Sequence, residues 1–222
     1  MNAQLKEVRE KLIAIGQTSH TSRKFQDDLL GFIERNATLG SSMVEVGCYH
    51  GGLTAQLAML ARDLGVVLHV IDIDAGYLEM AKKAVAAVGF SDHVEFHLMD
   101  LTEFARQASP KFTPLLVFVD GDHRYDGVVS DIRAIRSMPS PPFACAFHDY
   151  SLRYQDGPLT NVRVDMAIKD EFGPGVATIP IGEVAGNGST LRVAPGEDRH
   201  FHESGQPEGV IILADWLAAK PT

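Results

Sequence analysis

The chain has 222 residues, of which 45% are hydrophobic, and no apolar run reaches the length of about 20 residues that a membrane helix needs. Its 20 Lys and Arg residues against 29 Asp and Glu residues give a net charge of −9, which argues against a protein that binds nucleic-acid backbones through clustered cations. These properties predict a globular protein with a small-molecule partner and neither nucleic acid nor membrane as partner. A homo-oligomer is compatible with them.

Five apolar runs are typical of buried strands: Met43 to Val46, Val66 to Ile73, Val94 to Leu98, Leu115 to Asp120 and Phe143 to Phe147. Segments with helical periodicity lie between or after them, at Leu53 to Leu64, Tyr77 to Val88, Gly127 to Arg136 and Val162 to Phe172. This alternation predicts a doubly wound α/β fold, with a mainly parallel sheet and helices on both faces.

The segments before the first strand, Lys6 to Ile15 and Thr21 to Arg35, have the pattern of amphipathic helices, with Thr21 or Ser22 as the cap of the second. We expect residues 1–40 to form helices that cover the sheet or the active site. Residues 41–222 are expected to form one compact domain. The N-terminus lacks the continuous apolar core of a secretory signal, so a cytoplasmic location is expected.

Beyond the fifth strand the pattern changes. Ser151 to Asn161 is a polar loop with the length of a lid. Ala177 to Pro195 alternates apolar and polar residues around Asn187-Gly188, which predicts an antiparallel hairpin at the end of the sheet. Asp198 to Gly209 is predicted to be an exposed loop, and Val210 to Lys220 has the composition of either a strand or a short helix.

A glycine-rich turn follows the first strand, with the spacing Glu45-x-Gly47-x-x-x-Gly51-Gly52. Glycines there let the backbone turn tightly and approach a ligand, and Asp72 ends the next strand, where a doubly wound site places a carboxylate for ribose hydroxyls. The alternative for Asp72 is a cap of the following helix. Because Glu45 would repel a pyrophosphate, the pattern favours a ligand with a ribose and a cationic end over NAD or FAD.

Four motifs in order resemble those of the class I S-adenosylmethionine-dependent methyltransferases: the glycine loop, "VIDID", "FHLMDL" and "FVDGDHRY". The resemblance covers roughly residues 20–195 and is strongest to small-molecule O-methyltransferases whose fourth strand ends Asp-Gly-Asp-His, among them antibiotic-sugar methyltransferases. It implies S-adenosylmethionine as cofactor. Glu45 and the glycine turn would face its methionine part, Asp72 the ribose, and Asp100 with Leu101 the adenine; capping of the next helix is the alternative for Asp100.

Acidic and imidazole side chains follow two predicted strands: Asp120, Asp122 and His123 after the fourth, and His148 and Asp149 after the fifth. Ligands of such sheets bind outside the carboxyl ends of the strands, so we expect one shared pocket. Converging carboxylates repel unless they are protonated or bridged by a cation, and oxygen ligands suit Mg²⁺. The alternative is that the acids cap the helix that follows, on whose solvated face Asp131 is expected.

In the sugar O-methyltransferases that the chain resembles, acids at these two strand ends bind a divalent cation, and Asp120 and Asp149 match them. Several of those enzymes have a second acid or an amide beside the fifth-strand aspartate, whereas here His148 and Tyr150 flank it. The third ligand is therefore left open between water, Asp122 and a residue of the long loop.

Methyl transfer to a hydroxyl requires an aligned lone pair and removal of the hydroxyl proton. Histidine is the side chain whose ordinary pKa lies nearest neutrality, so His123 is one candidate for the base and Asp122 is the other. In a third possibility the cation acidifies the hydroxyl. The predicted function is that of an S-adenosylmethionine-dependent O-methyltransferase acting on a small hydroxylated molecule. The alternatives are a metal-dependent hydrolase or hydroxylase and a non-catalytic module that binds S-adenosylmethionine.

Overall fold

The computed structural model describes residues 3–193 and 199–217, except for the side chains of residues 216 and 217. A seven-stranded sheet forms its centre. Its strands are β1 (Ser42–Val46), β2 (Val67–Asp72), β3 (Val94–Leu98), β4 (Pro114–Val119), β5 (Ala144–Phe147), β7 (Ile179–Val184) and β9 (Pro207–Leu213). The order is β3-β2-β1-β4-β5-β9-β7. The first five strands along the chain are parallel, and β9 lies antiparallel to β5 and β7.

Helices cover both faces of this sheet. On one face lie α1 (Ala3–Ala14), α2 (Arg23–Arg35), α3 (Gly52–Leu64) and α4 (Ala75–Val88), and on the other lie α5 (Leu101–Gln107), α6 (Tyr125–Ser137) and α7 (Val164–Phe172). A final helix, α8 (Ala214–Leu217), follows β9 directly. Within residues 3–193 and 199–217, none of the helices has the length and apolar character of a membrane span.

The central strands are apolar throughout because both of their faces are covered. In β4, Leu116 and Phe118 belong to the core beneath α2 and α3, while Val117 and Val119 belong to the core beneath α6. Successive side chains of a strand point to opposite faces, so a strand between two helical layers needs an unbroken apolar run. The predicted doubly wound α/β fold is confirmed, with five parallel strands and the intervening helices at the expected places.

The helix ends follow local hydrogen bonding. Ser22 is the cap of α2, since its side chain accepts a hydrogen bond from the Phe25 backbone N–H at 3.1 Å. Gly65 and Gly89 end α3 and α4 in the left-handed conformation. Of the two caps considered for the second helix, Ser22 is therefore the one observed.

The C-terminal part differs from the prediction in its pairing. The antiparallel partner of β7 is β9, and not the residues that directly follow Asn187-Gly188; positions 194 and 195 lie outside the described residues. Val210 and Ile212 of β9 join one core and Ile211 joins the other. Burial on both faces beside β5 outweighs the local turn signal, which could only specify a neighbour close in sequence.

The prediction of an exposed loop at Asp198 to Gly209 is also wrong. The structure describes residues 199–209 of this segment. His200–His202 forms β8, which pairs with β6 (Leu152–Tyr154) in a separate two-stranded sheet. The end of the segment enters β9, where Glu208 is only 1% exposed. The predicted alternatives for Val210 onwards are both present, because the strand runs to Leu213 and α8 begins at Ala214.

Candidate active site

A cavity of about 830 Å³ opens at the carboxyl ends of β1, β2, β4 and β5. Its wall includes Glu45 and Asp72 on one side, and Asp120, His123 and Asp149 on the other. In a parallel sheet these ends lie at one edge, which is where open α/β sheets bind their ligands. The two groups of residues that the sequence motifs singled out therefore share one space.

The glycine loop after β1 is held against the end of β4. Gly47 has a φ of +84°, and a β-carbon there would overlap the backbone carbonyl of Asp120. Gly51 has a φ of +81° and is the N-terminal cap residue of α3. Both positions need glycine because side chains disfavour this conformation and because the backbones approach so closely.

Glu45 places a carboxyl group inside the protein at the floor of this cavity. It is 1% exposed, and its Oε2 atom has no hydrogen-bond partner among the described residues. Burial, with smaller contributions from the charges of Asp120 and Asp72, raises the pKa of Glu45 to about 8. An unpaired buried carboxyl oxygen in a cavity wall suits a ligand that brings a cationic group.

Asp72 fixes the loop from the end of β2. One of its oxygens accepts a hydrogen bond from the Cys48 backbone N–H at 3.0 Å and the other from the Asp74 N–H at 2.9 Å. The cap of α4 is Asp74 instead, whose side chain accepts from the Gly76 N–H at 2.7 Å. Asp72 is thus free of the capping role that was its alternative, and it lines the cavity.

Asp100 and Leu101 lie at the same wall, beyond β3. Asp100 caps α5 by accepting a hydrogen bond from the Glu103 N–H at 2.7 Å, so the capping alternative is observed for this residue, while Leu101 is buried.

Asp131 was expected on a solvated helix face, and this was wrong: it lines the cavity. Burial, then the charges of Asp122 and Asp100, raise the pKa of Asp131 to about 7.

Asp120, His123 and Asp149 form a group in which one ligand atom of each lies within 4.8 Å of the others. The His123 Nε2 atom is 3.5 Å from Asp149 Oδ2. Asp149 has a φ of +53°, a conformation that few residues other than glycine adopt and that brings its side chain to this edge. Two carboxylates and one imidazole at this spacing form a donor set that fits a divalent cation.

Residues 44–150 match a family model described as a methyltransferase domain. The matched residues therefore carry a methyltransferase domain, in agreement with the resemblance of their motifs to the class I S-adenosylmethionine-dependent methyltransferases. Because the match spans both the glycine loop and the acidic strand ends, the methyltransferase interpretation is favoured over a hydrolase or hydroxylase.

Two solved O-methyltransferases share the fold. One is an O-methyltransferase from Bacillus cereus in complex with S-adenosylhomocysteine, which is 16% identical with a TM-score of 0.62, over 96% of this chain and 91% of that chain. The other is TomG from Streptomyces achromogenes, involved in tomaymycin synthesis and solved with S-adenosylmethionine, which is 17% identical with a TM-score of 0.58, over 96% of this chain and 90% of that one. Among curated proteins none has significant sequence similarity to the chain.

A buried charge network supports the acidic edge of the methyltransferase domain. His148 Nδ1 lies 2.8 Å from Asp120 Oδ1, and His148 Nε2 lies 3.2 Å from Glu208 Oε1. Burial by itself would lower the pKa of His148, but the charges of Asp120 and Asp149 outweigh it and raise that pKa well above its ordinary value. His148 is therefore a protonated imidazole between carboxylates.

Glu208 connects this network to elements outside the methyltransferase domain. It accepts hydrogen bonds from the Ser22 N–H at 2.7 Å, from the Ser22 hydroxyl, and from the Glu183 N–H at 3.1 Å. Burial opposes its ionisation, yet the hydrogen bond with His148 holds the pKa of Glu208 below its ordinary value. Sequence reasoning missed this residue; its position two residues before the apolar run Val210 to Leu213 was the available signal.

Asp122 points to a different partner. Arg124 donates from Nε and Nη2 to its two oxygens, at 2.6 to 3.0 Å. The hydrogen bonds from Arg124 lower the pKa of Asp122. The alternative that these acids cap α6 is wrong, because the cap residue is Arg124 and no side chain accepts a capping hydrogen bond there.

Aromatic and apolar side chains also line the cavity. Tyr49 stacks on His50 at 3.8 Å between ring centroids and contacts Tyr77 at 5.3 Å. On the acidic side, Tyr154 of β6 and Leu159 line the wall. The loop predicted as a lid is thus partly a strand, and it contributes to the cavity.

We predict that Glu208→Gln lowers the free energy of unfolding by about 3 kcal/mol at pH 7, because it leaves the buried His148 charge with one partner fewer. Urea unfolding measures this. The difference from the wild type should shrink as the pH falls through the folded-state pKa of Glu208, since a lowered carboxyl pKa stabilises only above that value.

The matched control is Glu10→Gln, since Glu10 is exposed and its pair with Lys6 is loose at 3.7 Å. That variant should stay within about 0.5 kcal/mol of the wild type. Equal effects of the two substitutions would contradict a structural role for the Glu208 network.

Proposed function

We propose that the chain transfers the methyl group of S-adenosylmethionine to a hydroxyl of a small molecule, with a divalent cation beside the reacting groups. The observation that carries this proposal is the single cavity that joins the Glu45 and Asp72 side to the Asp120, His123 and Asp149 side. Its volume of about 830 Å³ is within the range of small-molecule sites. The two solved O-methyltransferases with this fold, one with S-adenosylhomocysteine and one with S-adenosylmethionine, support the cofactor.

The cofactor would be held on the β1 and β2 side. The unpaired Glu45 oxygen would face its amino group, the turn from Gly47 to Gly52 would lie along the methionine part, and Asp72 would accept from the ribose hydroxyls. Asp100 and Leu101 would border the adenine. When bound, the cofactor supplies an electrophilic methyl group on a sulfonium.

The acceptor would lie on the β4 and β5 side. There Asp120 and Asp149 would hold a divalent cation, which would orient the acceptor hydroxyl and favour its ionisation. The nearby Tyr154 and Leu159 offer apolar contacts to a small organic acceptor.

We assign His123 the role of proton acceptor. Asp149, 3.5 Å away, would orient the imidazole. Asp122 is a poorer base because Arg124 stabilises its ionised form and lowers its pKa.

We predict that affinity for S-adenosylhomocysteine rises with pH between 6 and 8. Glu45, with a pKa of about 8, is mostly protonated at neutral pH, and pairing with the ligand ammonium requires its ionised form. Calorimetry measures the binding. The Glu45→Gln variant should bind S-adenosylhomocysteine more weakly, and its affinity should no longer rise between pH 6 and 8. Absence of binding of both S-adenosylmethionine and S-adenosylhomocysteine over the whole pH range, with or without Mg²⁺, would reject the proposed function.

A second prediction concerns the base. Turnover is measured as S-adenosylhomocysteine formation over a panel of hydroxylated acceptors. His123→Ala should lower kcat by about 10²- to 10⁴-fold, the usual contribution of a general base. Asp122→Asn should lower it far less, with cofactor binding retained in both. The opposite ranking would assign the role to Asp122, and full activity of His123→Ala would leave proton removal to the cation.

A third prediction concerns the cation and needs no acceptor. Asp149→Asn keeps a side chain that tolerates the φ of +53° but loses the charge, so Mn²⁺ affinity should fall at least about tenfold. The electron paramagnetic resonance signal of free Mn²⁺ measures this, and binding of S-adenosylhomocysteine should be retained. Asp126→Ala, at an exposed acid outside the cavity wall, is the control. Undiminished Mn²⁺ affinity of Asp149→Asn would refute the proposed ligand role.

A further inference from the structure

A second group of ligand-type side chains lies on the sheet away from the cavity. His69 of β2 and Glu95 of β3 are direct partners in the parallel register, and His97 follows Glu95 by two positions. Side chains two apart on a strand share a face, so the three project from the same side of the two strands. None of the three belongs to the cavity wall.

The three nearest ligand atoms form a compact triangle. His69 Nδ1 is 3.1 Å from His97 Nε2 and 3.4 Å from Glu95 Oε2, and His97 Nε2 is 3.9 Å from the same oxygen. Nitrogen and oxygen ligands bound tetrahedrally to zinc at their usual bond lengths lie about 3.3 to 3.5 Å apart. A point about 2.0 Å from all three atoms exists, which is the usual length of such a bond.

The surroundings keep the imidazoles in the form that binds metal. The side chains of His69 and His97 are 14% and 22% exposed, whereas that of Glu95 is 61% exposed. Phe104 contacts both rings, at 5.5 and 5.1 Å between centroids, and Phe112 contacts His69 at 5.2 Å. Rings this far from water are costly to charge, and neutral imidazole is the form that binds a metal ion.

We propose that His69, Glu95 and His97 bind a divalent transition-metal ion, with zinc as the ion that the ligand set suits best. Two imidazoles and one carboxylate favour zinc and its neighbours over Mg²⁺, which prefers oxygen ligands. The exposed side of Glu95 leaves the fourth position to water. Because β3 is the edge strand of the sheet, the ion would cross-link that edge to β2.

The competing explanation is a hydrogen-bonded pair of imidazoles with a nearby carboxylate. One neutral ring donates to the other at 3.1 Å, and this would occupy one of the lone pairs. Such a pair has no affinity for zinc that depends on all three side chains. The two explanations therefore differ in what each substitution does to metal binding.

The test is a calorimetric titration of the full chain with Zn²⁺ in the Asp149→Asn background, which weakens the other candidate metal group. We expect one site whose affinity falls at least about tenfold in Glu95→Gln and is lost in His97→Ala, because removal of a supporting group alone already weakens metal sites by about 10- to 100-fold. His93→Ala, just before β3 and outside the group, should bind as the background protein does.

Melting temperature gives a second measurement. Zinc should raise it in the background protein and in His93→Ala but not in His97→Ala. Glu95→Gln removes an exposed charge without changing shape, so it separates metal loss from misfolding if His97→Ala proves unstable. Zinc binding unaffected by Glu95→Gln and His97→Ala, or no zinc uptake by the folded background protein, would overturn the proposal. It is independent of the proposed methyltransferase activity, because binding of S-adenosylhomocysteine by the same samples reports the cofactor site separately.

Discussion

The protonated imidazole of His148 holds together carboxylates that come from distant parts of the chain. Asp120 ends β4, while Glu208 lies in β9 and receives two hydrogen bonds from Ser22 at the start of α2. Charges buried this deeply are tolerated only when each has a partner, so the positions of the three elements depend on one another. The edge of the sheet that carries Asp120 and Asp149 is fixed in this way before any ligand arrives.

Desolvation then separates the acids of the cavity into two kinds. Burial raises the pKa of Glu45 to about 8 and that of Asp131 to about 7, so neither carries a full charge at neutral pH. Hydrogen bonds from Arg124 lower the pKa of Asp122, and the charges of His148 and His123, acting against burial, lower that of Asp149. The acids of the cavity therefore differ in protonation although they share one space.

The predictions from sequence succeeded where the signal was local. Apolar periodicity identified the five parallel strands, and the glycine spacing identified the loop after β1, because both depend on residues within one turn or strand. Glu208 and β8 were missed because their partners lie far away in sequence, and no local pattern specifies which strand β9 joins. Asp131 was misjudged because helical periodicity reveals a polar face but not that this face turns towards a cavity. His69 and His97 come together only through the register of β2 with β3.

The wall of the cavity is assembled from two sources with different constraints. Residues 44–150 contribute the glycine loop and the strand-end acids, whose backbone positions are dictated by a sheet buried on both faces. Thr18, His20, Tyr154 and Leu159 come from flanking segments. The segment after β5 is attached to the domain by the bridge between Arg124 and Val162, and within it Arg153 pairs with Asp165 at 2.6 Å. Substitution of the flanking side chains would therefore alter the shape of the cavity while the residues at the sheet edge keep their positions.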